Sequence, residues 1–295
     1  MSNLQKIIAA SSIVVALFVI WILFLNTSSL AKVQDNEVQN TPIKIDNVAE
    51  LQQYFADNNY SWPPENASDI PSQLIQSFPA DLRSINDFRI RKRYFIQSML
   101  PIIYAEQQHI ERVRQTIVEK LNRTGNNASD HQWFNKLLND YGVKAQGFKA
   151  QRKELLKRLD SLPTRLILAQ AAIESAWGTS RFAREGNSLF GEWTYNKNNG
   201  LVPSKRDSDK THRIKTFNSL RDSVRSYIKN INKNRAYAEL REKRHEMRQL
   251  NKPLDAFELA QGLKRYSQKG KHYVAILHKL MRSEEFKIVA QLENT

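Results

Sequence analysis

The 295-residue chain contains no cysteine. That excludes disulfide staples, thiolate nucleophiles and cysteine-ligated zinc, so packing alone must hold the fold in any redox compartment. Acidic residues are scarce, with 30 Asp and Glu against 45 Lys and Arg, a formal charge of +15. Such a surplus attracts polyanions: nucleic acid, anionic lipid or an acidic cell wall. Charge alone does not choose among them. No internal repeat and no sustained low-complexity tract is present. His212 has no second histidine or acidic ligand beside it at metal spacing, and neither a metal nor a cofactor is expected.

The one long apolar run is residues 7–25, preceded by Lys6 and the amino terminus. It is about as long as a bilayer-crossing helix requires. A cleaved secretory signal is the competing reading, because Ser29, Leu30 and Ala31 have the small-x-small form that a signal peptidase accepts. The run exceeds the usual h-region of roughly 7 to 15 residues, which favours an uncleaved anchor. Either reading places the remainder outside the cytoplasm, in a periplasm beside the inner membrane, and argues against nucleic acid as partner. Residues 1–30 are thus expected as anchor or signal, and residues 31–46, polar and without periodicity, as a linker.

Beyond the linker the chain reads as helical. Residues 47–55 place Val48, Leu51 and Phe55 on one side of a short helix. Residues 61–79 carry Pro63, Pro64, Pro71 and Pro79 and read as a surface connector outside the core. Between residues 85 and 121 the apolar positions fall at spacings of three, four and seven, a helical period interrupted by Pro101. Further helices are expected at residues 131–141 and 148–159, making residues 47–159 an all-helical extension. After the central segment discussed next, residues 187–193 and 213–217 read as a small β-hairpin. Helices then resume behind an N-cap at Asn218 or Ser219, over residues 235–250, behind Asp255, and from residue 271 to 290 without a break. Arg241, Lys243, Arg244 and Arg248 read as a solvated helix face.

Residues 162–177 depart from the amphipathic pattern. From Leu166 to Ile173 nearly every side is apolar, which predicts a buried central helix with Gly178 as its C-terminal cap. Glu174 is the only acidic residue in it. Apolar neighbours and the negative end of the helix dipole both raise a carboxyl's pKa. A carboxyl kept protonated near neutral pH is what a glycosidase needs to protonate a departing glycosidic oxygen. From position alone, a buried glutamate paired with arginine or lysine is an equal alternative.

The segment AQAAIESAWGTSRFAREGNSLFG holds Ala169, Gln170, Ala171, Glu174, Ser175, Trp177 and Gly178, then Asn187, Leu189, Phe190 and Gly191. It resembles the glucosaminidase family of peptidoglycan hydrolases, whose pattern is A-Q-A-x-x-E-S-x-W-G followed by N-x-L-F-G. The likeness extends through Tyr266 and Tyr273, and the helical extension before the motif is similar to that of bacterial Bax-type proteins. The resemblance implies a mainly α, lysozyme-like glucosaminidase domain over residues 160–290 with a small β-hairpin lobe. It implies hydrolysis of the peptidoglycan glycan bond after N-acetylglucosamine, with Glu174 in the place of the catalytic glutamate. Tyr266 falls where the family has a site-lining tyrosine.

The remaining site residues stay open. Glu192, Asp207 and Asp209 are candidates for a second carboxylate, while substrate assistance by the sugar's 2-acetamido group would need none. Asn187 belongs to the matched motif, and Phe190, Trp193 and Tyr227 are candidates for stacking on sugar rings. An amidase cutting between sugar and peptide, a non-catalytic glycan-binding module and a membrane-tethered helical scaffold are the rival functions.

Overall fold

Apolar positions at helical spacing fold into eleven α-helices among the residues that the computed structural model describes, which are 42–122, 128–196, 198–204 and 211–293. The expected membrane segment at residues 7–25 lies outside them, as do Asp207 and Asp209. Among the described residues no helix is long and apolar enough to cross a membrane.

Helix α1 (Val48–Asp57) starts where Asn47 accepts a hydrogen bond from the Glu50 amide, a cap worth about 1 kcal/mol. Helix α2 (Phe88–Asn122) contains Pro101. Helices α3 (Ala128–Tyr141) and α4 (Phe148–Arg158) follow and pack on each other. The buried helix α5 (Thr164–Glu174) is the hub, packing against α2 and against α9 (Ala256–Ala260), α10 (Lys271–Met281) and α11 (Glu284–Leu292). Eight of its eleven residues are buried, matching its all-round apolar sequence. Between α5 and α9 lie the short α6 (Arg181–Gly186), the hairpin of β1 (Trp193–Thr194) and β2 (Arg213–Ile214), α7 (Leu220–Lys233) and α8 (Ala238–Gln249). The hairpin is antiparallel, with Trp193 opposite Ile214 and Thr194 opposite Arg213. Ser219 caps α7 and Asp255 caps α9, each accepting backbone N–H bonds.

Four expectations are corrected. Residues 61–79 are no mere surface connector, since Leu74, Ile75 and Phe78 are buried, Ile43 pairs with Ile75, and Phe78 stacks on Phe95 at 5.4 Å. Isolated apolar side chains need no periodicity to reach a core. The last helix breaks at Ser283, which begins α11 with Glu284 and Glu285 in its first turn. Helix α5 ends at Glu174 rather than running to Trp177, and its C-cap is Ser175, not Gly178. Ala176, Trp177 and Gly178 then take left-handed backbone conformations, and a Cβ on Gly178 would sit 2.8 Å from the Phe78 ring.

The fourth correction concerns the basic face of α8. Arg241 and Arg244 are buried, not solvated. Arg244 donates to the carbonyls of Lys157, Arg158, Asp160 and Ser161, while Arg114 donates to those of Leu156 and Leu159. These carbonyls belong to the end of α4 and the loop behind it, where cations also suit the helix dipole. Asp160, itself buried, receives two bonds from Arg248 and lies 3.7 Å from both Arg114 and Arg244. A second such clamp joins α2 to α7, where buried Glu106 accepts bonds from Arg221 and Arg225.

Candidate active site

Glu174 is the last residue of α5, and the turn beyond it is tied down by Ser175, whose hydroxyl donates to the Ala171 carbonyl at 2.6 Å and accepts from the Gly178 amide at 2.8 Å. The carboxyl is half-buried. Burial raises its pKa, opposed by a hydrogen bond from Tyr273 and the positive charge of Lys269. Among the described residues no arginine or lysine forms an ion pair with it, and Lys269 acts only as a nearby charge.

One helical turn before Glu174, the buried Gln170 organises the polar groups beneath the site. The Tyr227 hydroxyl donates to Gln170 Oε1, which turns Nε2 toward the Tyr273 hydroxyl at 3.1 Å. Because Tyr273 accepts that bond, its own proton is free for Glu174. Tyr227, Tyr237, Tyr266 and Tyr273 all lie within electrostatic reach of Glu174, and burial raises the pKa of each, keeping the phenols neutral. Tyr273 is therefore the tyrosine whose hydroxyl is placed to act on the acid, lowering its pKa against burial. Tyr266 stacks on Tyr273 at 5.5 Å and donates to the Phe190 carbonyl at 3.2 Å. Sequence reading named Tyr273 only as the far end of the family likeness. Its position in the first turn of α10, facing α5, was the available signal.

Phe190 and Tyr227 stack face to face at 4.0 Å and are 5% and 1% exposed, so as they stand neither offers a face to a sugar. They are the floor under the tyrosines. Asn187 ends α6 in a left-handed conformation that asparagine tolerates, and its Nδ2 donates to the Phe217 carbonyl. Trp193 differs from the other ring candidates in being 63% exposed.

Of the three second-carboxylate candidates, only Glu192 is among the described residues. It is half-buried, and its Oε2 accepts a bond from Ser226, whose hydroxyl is also held by Lys215. Burial raises its pKa against the Ser226 bond and the Lys215 charge. Tyr237 feels the charge of both Glu192 and Glu174, which places the phenol near both acids. Among the described residues no group of three or more histidine, aspartate or glutamate side chains is arranged to hold a metal.

The structure is mainly helical, with a half-buried acid at the end of its central helix and neutral phenols within electrostatic reach, an arrangement suited to the acid chemistry of a glycosidase-like hydrolase. Comparison with known proteins agrees at the level of family. Residues 149–285 match the glucosaminidase family, described as mannosyl-glycoprotein endo-beta-N-acetylglucosaminidase. The chain is similar to Protein bax of Escherichia coli (strain K12), 29% identical over 214 residues that span 72% of this chain and 76% of that protein. Residues 149–285 thus carry a glucosaminidase-family match, and over most of its length the chain is similar to a Bax-type protein. No solved structure matches it significantly.

Proposed function

We propose that the chain is an endo-β-N-acetylglucosaminidase of peptidoglycan, with Glu174 as the general acid. The observation that carries this reading is the Glu174 carboxyl itself: half-buried, raised in pKa, and set in the family's motif. Protonated, it gives its proton to the glycosidic oxygen as the bond to the departing sugar lengthens. Tyr273, oriented through Gln170 and Tyr227, holds the carboxyl and stabilises the carboxylate that the transfer leaves.

Two routes complete the reaction. Glu192 activates water or stabilises the oxocarbenium-like centre, or the 2-acetamido group of the substrate itself attacks C1. Asp207 and Asp209 stay candidates for the first route. The apolar run at residues 7–25 supports a membrane anchor, with the catalytic domain held in the periplasm near the wall.

Mass spectrometry of fragments released from purified peptidoglycan tests the reading. Fragments with N-acetylglucosamine at the reducing end, absent with Glu174→Gln, are the expected result. Peptides freed from their sugar would assign an amidase instead, and wall binding without fragments would leave a binding module.

A further inference from the structure

The exposed large apolar side chains among the described residues number seven, and three of them, Trp193, Tyr195 and Val202, fall within ten residues on the hairpin lobe. Trp193 is 63% and Tyr195 72% exposed. Water is a poor place for an indole and a phenol side by side, and exposed apolar clusters of this kind mark binding surfaces. Glu192 turns inward to Ser226, and the half-buried Thr194 has its methyl packed near Gly200. Trp193 and Tyr195 are two positions apart and both exposed, about 7 Å from each other for an extended backbone.

The indole is also held in one orientation. The His212 ring lies against it at 4.1 Å with 17° between the planes, covering one face of Trp193 and leaving the other to solvent. Hydrogen bonds tie the base of the lobe together. Asn199 accepts bonds from the amide and hydroxyl of Thr216, Arg213 donates to the Gly200 carbonyl, and Arg181 donates to the Val202 carbonyl. Gly200 makes this closure possible, since a Cβ there would meet Arg213 and the Ile214 carbonyl at 2.8 and 2.9 Å. An exposed aromatic on so fixed a base loses little further freedom on binding.

We propose that Trp193 and Tyr195 form a stacking strip for the flat faces of successive sugars in a glycan strand, and that His212 is a positioning residue that holds Trp193 for it. The inference rests on the glucosaminidase reading and deepens it by adding a binding surface on the lobe beyond the acid. The polar side chains of Asn196 and Asn198, both exposed beside the strip, are placed to meet sugar hydroxyls.

Calorimetry on the full chain carrying Glu174→Gln, titrated with a soluble β-1,4-linked N-acetylglucosamine oligomer, tests this. Trp193→Ala in that background is expected to weaken binding roughly tenfold, and Tyr195→Ala by a smaller factor. His212→Ala should weaken it about threefold, and His212→Phe, which keeps a flat ring beneath the indole, should restore it. In the active enzyme, Trp193→Ala should raise KM more than it lowers kcat. Unchanged affinity in both Trp193→Ala and Tyr195→Ala overturns the strip, and equal affinity of His212→Ala and His212→Phe overturns the positioning role. Tyr195→Ala keeps the test decisive should the Trp193 variant melt early. If the parent protein neither binds nor cuts glycan, the glucosaminidase reading itself fails.

Discussion

Asp160 is a buried carboxylate and Glu174 a half-buried one, and their surroundings differ in charge. Three arginines, Arg114, Arg244 and Arg248, face Asp160, whereas Glu174 has tyrosines within electrostatic reach and feels the positive charge of Lys269. Burial pushes both pKa values up, but around Asp160 the arginines outweigh it and the net shift is downward. Glu106 behaves like Asp160, because Arg225 and Arg221 override its burial. At Glu174 desolvation wins. The same chemical group is made easier to ionise in one place and easier to protonate in the other, and the neighbours decide which.

The largest expected effect of breaking that contrast is on activity. Glu174→Gln should lower glycan release by about 10²- to 10⁴-fold, the range for losing a general acid, while leaving the thermal midpoint unchanged or higher. A carboxyl with a raised folded pKa binds its proton more tightly when folded. The stability it confers is lost as pH rises past its unfolded value, so at neutral pH an amide relieves a cost. Asp160→Asn should do the opposite. It leaves the fully buried Arg244 without its counter-ion, and chemical denaturation should show a loss of about 3 to 5 kcal/mol with the pH profile of the remaining activity in place.

Acid titration sharpens the comparison further. Asp160 and Glu106 have lowered pKa values, so their contribution is fully present above the ordinary carboxylate range near 4 and is lost as pH falls through their folded values. Glu106→Gln should flatten that part of the stability curve, measured by denaturation at a series of pH values. Tyr273→Phe removes a hydrogen bond that favours the Glu174 carboxylate. The pKa then rises further, and the alkaline limb of kcat/KM should move to higher pH. The smallest effect belongs to Lys269→Met, which should shift the same limb upward slightly and lose that influence at high salt.

The Glu174 half of this contrast is legible in the sequence, and the Asp160 half is not, for a physical reason. The all-round apolar character of residues 166–173 marks a buried helix, and a lone acid at its end needs only that burial to become unusual. The caps at Asn47, Ser219 and Asp255 are local chemistry and could be read locally. Arg244 could not. Its partners are backbone carbonyls more than eighty residues away, and an arginine on a polar helix looks the same whether solvated or buried. Tyr273 reaches Glu174 across a similar gap, and Leu74, Ile75 and Phe78 gain their burial from contacts that no period announces. The end of α5 was missed by three residues because the turn at Ala176 and Trp177 is held by the Ser175 hydroxyl, a bond the spacing of apolar residues does not encode.

The most direct test is a carbon-13 titration of the glutamate carboxyls in the full chain, with Glu174→Gln and Glu106→Gln used to assign the two resonances. Glu174 is expected to titrate above the usual glutamate range and to coincide with the alkaline limb of kcat/KM, while Glu106 titrates below that range. A Glu174 midpoint at or below the ordinary value, or one unrelated to the activity profile, would contradict that expectation.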